Sequence, residues 1–177
     1  MTIRIGAGAG FQGDRIEPAV DLAERGELDY LVFECLGERT IALAQQARIS
    51  DPAGGYDPLL ERRMRAVLPA CVRNGTKIVT NMGAANPVAA ARKTRAVARE
   101  LGLAGLKVAA VTGDDVLDRI GGYVLDETGA VASALGERLV SANAYTGIAG
   151  VVAALDAGAD VVICGRASDP TLFLAPL

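Results

Sequence analysis

Four times along the chain a helical stretch ends in glycine, a charged residue follows within two positions, and a short apolar run begins. The copies are AERGELDYLVFE, VRNGTKIVTN, ELGLAGLKVAAVTG and LDAGADVVICGR. Gly26, Gly75, Gly105 and Gly158 fit helix stops that need a left-handed residue. The runs at 29–34, 77–81, 107–112 and 161–164 are almost continuously apolar, as strands covered on both faces are. With a further strand at 2–5, five strands alternate with helices, which predicts βαβ units. The expected fold is a single α/β domain over 1–177 with an open, doubly wound, mainly parallel sheet of about five strands. A partial β/α barrel is the alternative, because GADVVICGR also resembles a late barrel strand with its phosphate loop.

Local signals place the helices. Asp57-Pro58 and Asn86-Pro87 each read as an N-cap followed by proline in the first turn, and Pro69 is expected to kink a helix spanning roughly 58–73. Ile148, Val151, Val152 and Leu155 keep the spacing of a buried stripe. Between Asp115 and Tyr145 the regularity fails. GYVLDETGAVASALGERL reads either as a hairpin turning at Glu127-Thr128-Gly129 or as helical pieces forming a cover, with Tyr123 and Tyr145 flanking it. The chain ends on PTLFLAPL, which predicts an unburied apolar face at Leu172, Phe173, Leu174 and Leu177. The expectation is therefore an N-terminal part of a longer domain that pairs with its own remainder or with a second copy.

Composition excludes several functions. The 18 basic and 21 acidic residues leave a formal net charge of −3, so no electrostatic field favours nucleic acid or an anionic membrane as partner. No apolar run reaches the roughly 18 residues of a membrane span, and the N-terminus lacks a signal-peptide layout, which predicts a cytoplasmic protein. Cys35, Cys71 and Cys164 lack metal-binding spacing and read as small core residues. There is no histidine. Ser-His-Asp and Cys-His systems and His-based zinc sites are thereby ruled out within these residues, and acid–base chemistry falls to carboxylates, Lys, Arg, Tyr, thiols or amides.

In a parallel sheet every strand's C-terminus lies on one edge, and ligands bind outside it. The residues gathered there are Gly8, Gly10, Gly13 and Asp14 from the first strand, Glu34 and Glu38 from the second, Asn81 from the third, Gly113, Asp114 and Asp115 from the fourth, and Arg166 and Asp169 from the fifth. Gly8, Gly10 and Gly13 spell G-x-G-x-x-G, and Glu34 follows Gly13 by 21 residues, which raises the prospect of NAD(P). That reading is disfavoured, because Pro18 puts the helix start about five residues beyond the third glycine, too far for its amides to meet a pyrophosphate. Asp114, Asp115, Glu34 and Asp169 are the candidate catalytic acids. Asp114 is expected to face the cleft, and Asp115 to cap a short helix beginning at Val116. Burial near Glu34 or Asp169 would suit Asp114 to acid–base work, and the alternative is a cluster holding Mg²⁺ through oxygen ligands.

The stretches RIGAGAGFQGDR, LDYLVFECLGERT, IVTNMGAANPVAAA, VAAVTGDDV and SANAYTGIAGVVAALDAGADVVICGRASDPTLFLAPL run collinearly from end to end. Together they resemble the acyclic terpene utilisation family, AtuA-type proteins of bacterial isoprenoid and branched-chain catabolism. One stretch departs: where the family usually reads acid-Tyr-Leu-Ala-Glu-hydrophobic-Thr, this chain has Glu34-Cys35-Leu36-Gly37-Glu38-Arg39-Thr40. The resemblance implies an N-terminal α/β domain that continues in the family past Leu177, and a small-molecule substrate that is an acyl-CoA thioester with an isoprenoid-like chain. A lyase or hydratase suits a histidine-free site, since a carboxylate plus amide donors for an enolate oxygen suffice. The rival readings are an NAD(P)-dependent oxidoreductase and a non-catalytic acyl-CoA-binding subunit.

Overall fold

The computed structural model describes residues 2–177. Its elements, in chain order, are β1 (Ile5–Ala9), α1 (Glu17–Arg25), β2 (Tyr30–Phe33), α2 (Glu38–Ser50), α3 (Leu60–Asn74), β3 (Lys77–Thr80), α4 (Pro87–Glu100), β4 (Val108–Val111), α5 (Ala149–Asp156), β5 (Val161–Cys164) and α6 (Thr171–Leu174). All pairings are parallel and the strand order is β1-β2-β3-β5-β4. The sheet is open, with β1 and β4 as its edges, so the partial-barrel alternative is not realised.

Alternation along each strand divides the core between two faces. Leu31, Phe33, Ile78, Val161 and Ile163 pack with α1, α3 and α4 residues such as Ala19, Met64, Leu68 and Val97. Val32, Val79, Val162 and Cys164 point the other way and meet Val151, Leu155 and Leu172. Helices on both faces of a parallel sheet are the doubly wound arrangement. Among the described residues no helix is long and apolar enough to cross a membrane.

Several local expectations are corrected. The first strand is Ile5–Ala9 rather than 2–5, with Gly6 and Gly8 inside it. A Cβ at Gly8 would lie 2.7 Å from the Phe33 ring, and one at Gly6 would strike Leu28; small residues there let α1 and β2 close onto the strand. Gly75, Gly105 and Gly158 have positive φ, whereas Gly26 has φ −73° and Glu27 takes the left-handed position at φ 47°. Gly26 answers to space instead, since a Cβ there would meet the Leu22 carbonyl at 2.5 Å. Asn86 caps α4, its side chain accepting from the Ala89 amide at 3.2 Å. Asp57 accepts from the Leu59 amide at 2.6 Å, but α3 begins only at Leu60. Of the stripe expected on α5, Val151 and Leu155 are buried and Val152 packs partly against them, while Ile148 is exposed.

The irregular segment combines both of its readings. Val124 and Val131 form an antiparallel bridge around a turn in which Gly129 has φ 65°, and two short 3₁₀ pieces, Leu117–Arg119 and Ala132–Arg138, flank it. The last residues are corrected too. Leu172 is fully buried in the α5 and α6 face and Phe173 packs partly against it, leaving only Leu174 and Leu177 of the four exposed.

Candidate functional site

A cleft of about 500 Å³ opens beyond the C-terminal ends of β1, β2 and β5, walled by the Gly10–Gly13 loop, by Glu34 to Thr40 and by Arg166 and Asp169. A smaller one of about 200 Å³ adjoins it, between α2 and residues 141–145. Glu38 and Arg166 line both.

Glu34 stands at the end of β2, half-buried, and one of its oxygens is fixed. Oε1 accepts from Asn81 Nδ2 at 2.8 Å and from the Leu36 amide at 3.1 Å. Asn81, fully buried at the end of β3, is itself held by the Cys35 amide, which donates to its Oδ1 at 2.7 Å. Among the described residues Oε2 of Glu34 makes no hydrogen bond, so this carboxylate is aimed but not consumed.

Arg166 follows β5 and is only 5% exposed. Its backbone amide donates to Asp114 Oδ2 at 2.8 Å, and its Nη1 donates to the Leu36 carbonyl. Nη2 donates to Asp169 Oδ1 at 3.3 Å and lies 3.7 Å from Glu38 Oε1. The Tyr145 ring stacks on the guanidinium at 4.0 Å, within cation–π range, and the Tyr145 hydroxyl donates to the same Glu38 oxygen. That bond, followed by a backbone amide and the Arg166 charge, holds Glu38 below its ordinary 4.5, and it raises Tyr145 above 10. Among the described residues Nε of Arg166 is buried without a partner.

The glycine loop is braced from beneath by a residue that sequence reasoning missed. Arg63, 0% exposed on the inner face of α3, donates through Nη2 to the carbonyls of Gln12 at 2.8 Å and Asp14 at 3.1 Å. Its Nη1 lies 3.3 Å from both Asp57 Oδ2 and Cys35 Sγ. Burial raises Asp57 above the usual carboxylate range despite Arg63 beside it. Burial likewise pushes the Cys35 thiol up strongly, against the opposing pull of Arg63, so the Cys35 sulfur, turned to Arg63 in the core, favours the protonated thiol. Cys71 and Cys164 are also buried, each pushed up to about 12.

Of the residues expected at the edge, Gly10, Gly13, Glu34, Glu38, Arg166 and Asp169 line the cleft, with Asn81 directly behind Glu34. Gly8 is inside β1. Asp14 closes the loop, its Oδ2 accepting from the Gly10 amide at 2.7 Å. The amide that a pyrophosphate would approach thus already has a carboxylate on it, and the helix begins only at Glu17. Gly113 turns with φ 112° and lies outside the lining of either cleft. Asp114 is buried, 5% exposed, with Oδ2 shared between the Arg166 amide and Asn143 Nδ2 at 3.0 Å; it lies against the Gly165–Arg166 turn rather than in the cleft wall. Asp115 accepts from the Leu117 amide at 3.3 Å and pairs with Arg48 at 3.2 Å. Among the described residues no three acids or thiols come together as a metal site. Asp114, Glu34 and Asp169 are each turned to a different partner, so this donor set does not fit Mg²⁺.

An open, doubly wound α/β domain whose polar cleft sits at the strand C-termini is the class that fold and site define. Within that class the chain belongs to the acyclic terpene utilisation family: the family description that matches it, over residues 3–177, is acyclic terpene utilisation family protein AtuA. No curated protein and no solved structure matches the chain.

Proposed function

We propose that the cleft is the active site of a lyase or hydratase acting on a branched or isoprenoid acyl-CoA, with Glu34 as the acid–base group. The observation that carries this reading is the half-buried carboxylate of Glu34, fixed on one oxygen by Asn81 and facing the same cleft as the buried cation of Arg166, in a chain without histidine. In the hydration direction Glu34 takes a proton from water as the oxygen adds to the β-carbon of an enoyl thioester. Negative charge then develops on the thioester oxygen, and the same proton returns to the α-carbon. The amides of Phe11, Gln12 and Gly13, which donate to no group among the described residues, supply the donors for that oxygen. Arg166 anchors an anionic or carbonyl part of the substrate on the opposite wall. Asp114 is a positioning residue here, since it holds the Arg166 backbone.

The test is turnover of a mixture of branched and terpenoid acyl-CoA thioesters by the purified protein and by Glu34→Gln. Loss of general acid–base catalysis is expected to slow turnover by about 10²–10⁴-fold, with melting temperature retained. Undiminished turnover by Glu34→Gln removes this residue from the mechanism. Binding of the thioesters without any turnover by the wild type would establish the acyl-CoA-binding subunit instead.

A further inference from the structure

We propose that the Nε–Nη2 edge of Arg166 is a docking point for a free carboxylate on the ligand, and that in the absence of ligand only its Nη2 is served, by Asp169 and by a Glu38 held by Tyr145. The inference deepens the reading of the cleft as a substrate site and rests on it. An arginine offers a planar fork to an acid, and the donors Nε–H and one Nη–H lie along one edge of it. In Arg166 that edge is held unequally. Nη1 is committed to the Leu36 carbonyl, Nε is buried with no partner among the described residues, and Nη2 has only a 3.3 Å bond to Asp169 and a 3.7 Å ion pair with Glu38.

The two acids that face this edge are themselves largely solvated. The Glu38 side chain is 83% exposed and that of Asp169 is 64% exposed, while Arg166 is buried to 5%. A buried cation served by two solvated carboxylates, neither of which reaches Nε, is incompletely matched. A ligand carboxylate laid along Nε and Nη2 would match it with two parallel bonds. Glu38 can leave for water with little desolvation to undo, since most of its surface is already there, and gives up its Tyr145 bond in doing so. Its departure frees the Tyr145 hydroxyl, whose ring stays stacked on the guanidinium. Because Glu38 is one of the two residues that line both clefts, its movement also joins the larger cavity to the smaller. The substrate class that follows is an acid or an acyl group carrying a second, free carboxylate.

The probe is isovalerate, compared with its uncharged analogue isovaleramide, titrated into the protein while the arginine Nε–H resonances are followed by NMR. Isovalerate is expected to move the Arg166 Nε–H signal downfield, and isovaleramide to bind at least about tenfold more weakly. Arg166→Lys, which keeps the charge but loses the fork, should weaken isovalerate about tenfold. Glu38→Gln, which removes the competing charge, should tighten it. Equal affinity for acid and amide, an unmoved Arg166 signal, or weaker binding by Glu38→Gln overturns the proposal, and these readings stand even if Arg166→Lys fails to fold. The two ideas fail separately. Isovalerate docking without acyl-CoA turnover sinks the enzyme reading alone, and turnover with indifference between acid and amide sinks the carboxylate site alone.

Discussion

The stretch from β2 through α4 and the stretch from Gly113 to Ile148 both supply residues beyond the strand C-termini but are held by different forces. The first contributes Leu31, Phe33, Met64, Leu68, Ile78 and Val97 to a packed apolar core. In the second, only Asp114 and Ala132 are buried, while Tyr123, Val124, Val140 and Tyr145 stand exposed. Its attachment is polar: the Arg166 amide to Asp114, Gln45 to Asn143, Arg48 to Asp115 and Tyr145 to Glu38. A region with few buried contacts opens at a lower free energy than the core beside it. The larger cleft thus has a rigid floor, carrying Glu34 with Asn81 behind it, while the smaller cleft beside it is walled by a cover tied by individual hydrogen bonds.

The largest effect is expected beneath the floor. Arg63→Leu leaves Asp57 buried without its cation and strips the donors from the glycine loop, and breaking such a pair costs about 3–5 kcal/mol. Chemical denaturation measures it, and a loss under about 1 kcal/mol would show that the loop does not depend on Arg63. Next comes a matched pair of truncations. Met64→Ala in the core should cost about 2–5 kcal/mol, whereas Val140→Ala in the cover should stay within about 0.5 kcal/mol; similar losses in the two would erase the distinction between the regions.

Asp114→Ala sharpens it further. Removing a charged acceptor from the Arg166 amide and Asn143 should cost about 1.5–3 kcal/mol, with faster amide exchange concentrated in residues 142–146. Equal acceleration throughout β2 and β3 would mean that Asp114 supports the floor as well. The smallest effect is a titration. Glu38 is lowered in the folded protein, so its contribution is fully present above its ordinary 4.5 and is lost as pH falls below that value through the lowered one. The cover should therefore loosen on acidification in that window, seen as faster exchange of the Thr146 amide relative to a Tyr145→Phe variant. At the other end of the scale the Tyr145 phenol should ionise above 10, and Glu38→Gln should bring it back towards 10 in an ultraviolet titration.

Much of the frame was legible because parallel strands write their own pattern. The apolar runs and the glycines after α3 and before β5 placed β2, β3, β4 and β5 to within a residue or two, and the common edge then put Glu34, Arg166 and Asp169 in one cleft. Gly6 and Gly8 misled because glycine in a sequence reads as a turn, while here it marks a strand pressed by Phe33 and Leu28. Arg63 carried a usable signal: it falls in the buried stripe of Leu60, Met64, Val67 and Cys71, where an arginine requires an internal acid. The helix α2 carried almost none. Its small apolar cluster of Ile41 and Ala44 against Leu36, Ala84 and Ala85 is too slight to impose a clear period on ERTIALAQQARIS. The partnership of Glu38 with Tyr145, 107 positions apart in the chain, depends on how the cover lies across the edge, which no local pattern encodes.

The strand order has a consequence for how the molecule is made. β5 is the last strand along the chain, yet it sits between β3 and β4, bonded to both. Until it emerges during synthesis, β4 has no neighbour and β3 has one bare side, separated by a vacancy about 10 Å wide between strand centres. The growing polypeptide can zip β1, β2 and β3 together with α1 and α3, but the second half of the sheet must wait for Val161–Cys164. Such late, long-range closure slows folding relative to local assembly and leaves an open sheet margin in the nascent chain that invites wrong pairing. A chain released before Val161 would hold a three-stranded fragment and a stranded β4, with the Arg166 wall of the cleft never built.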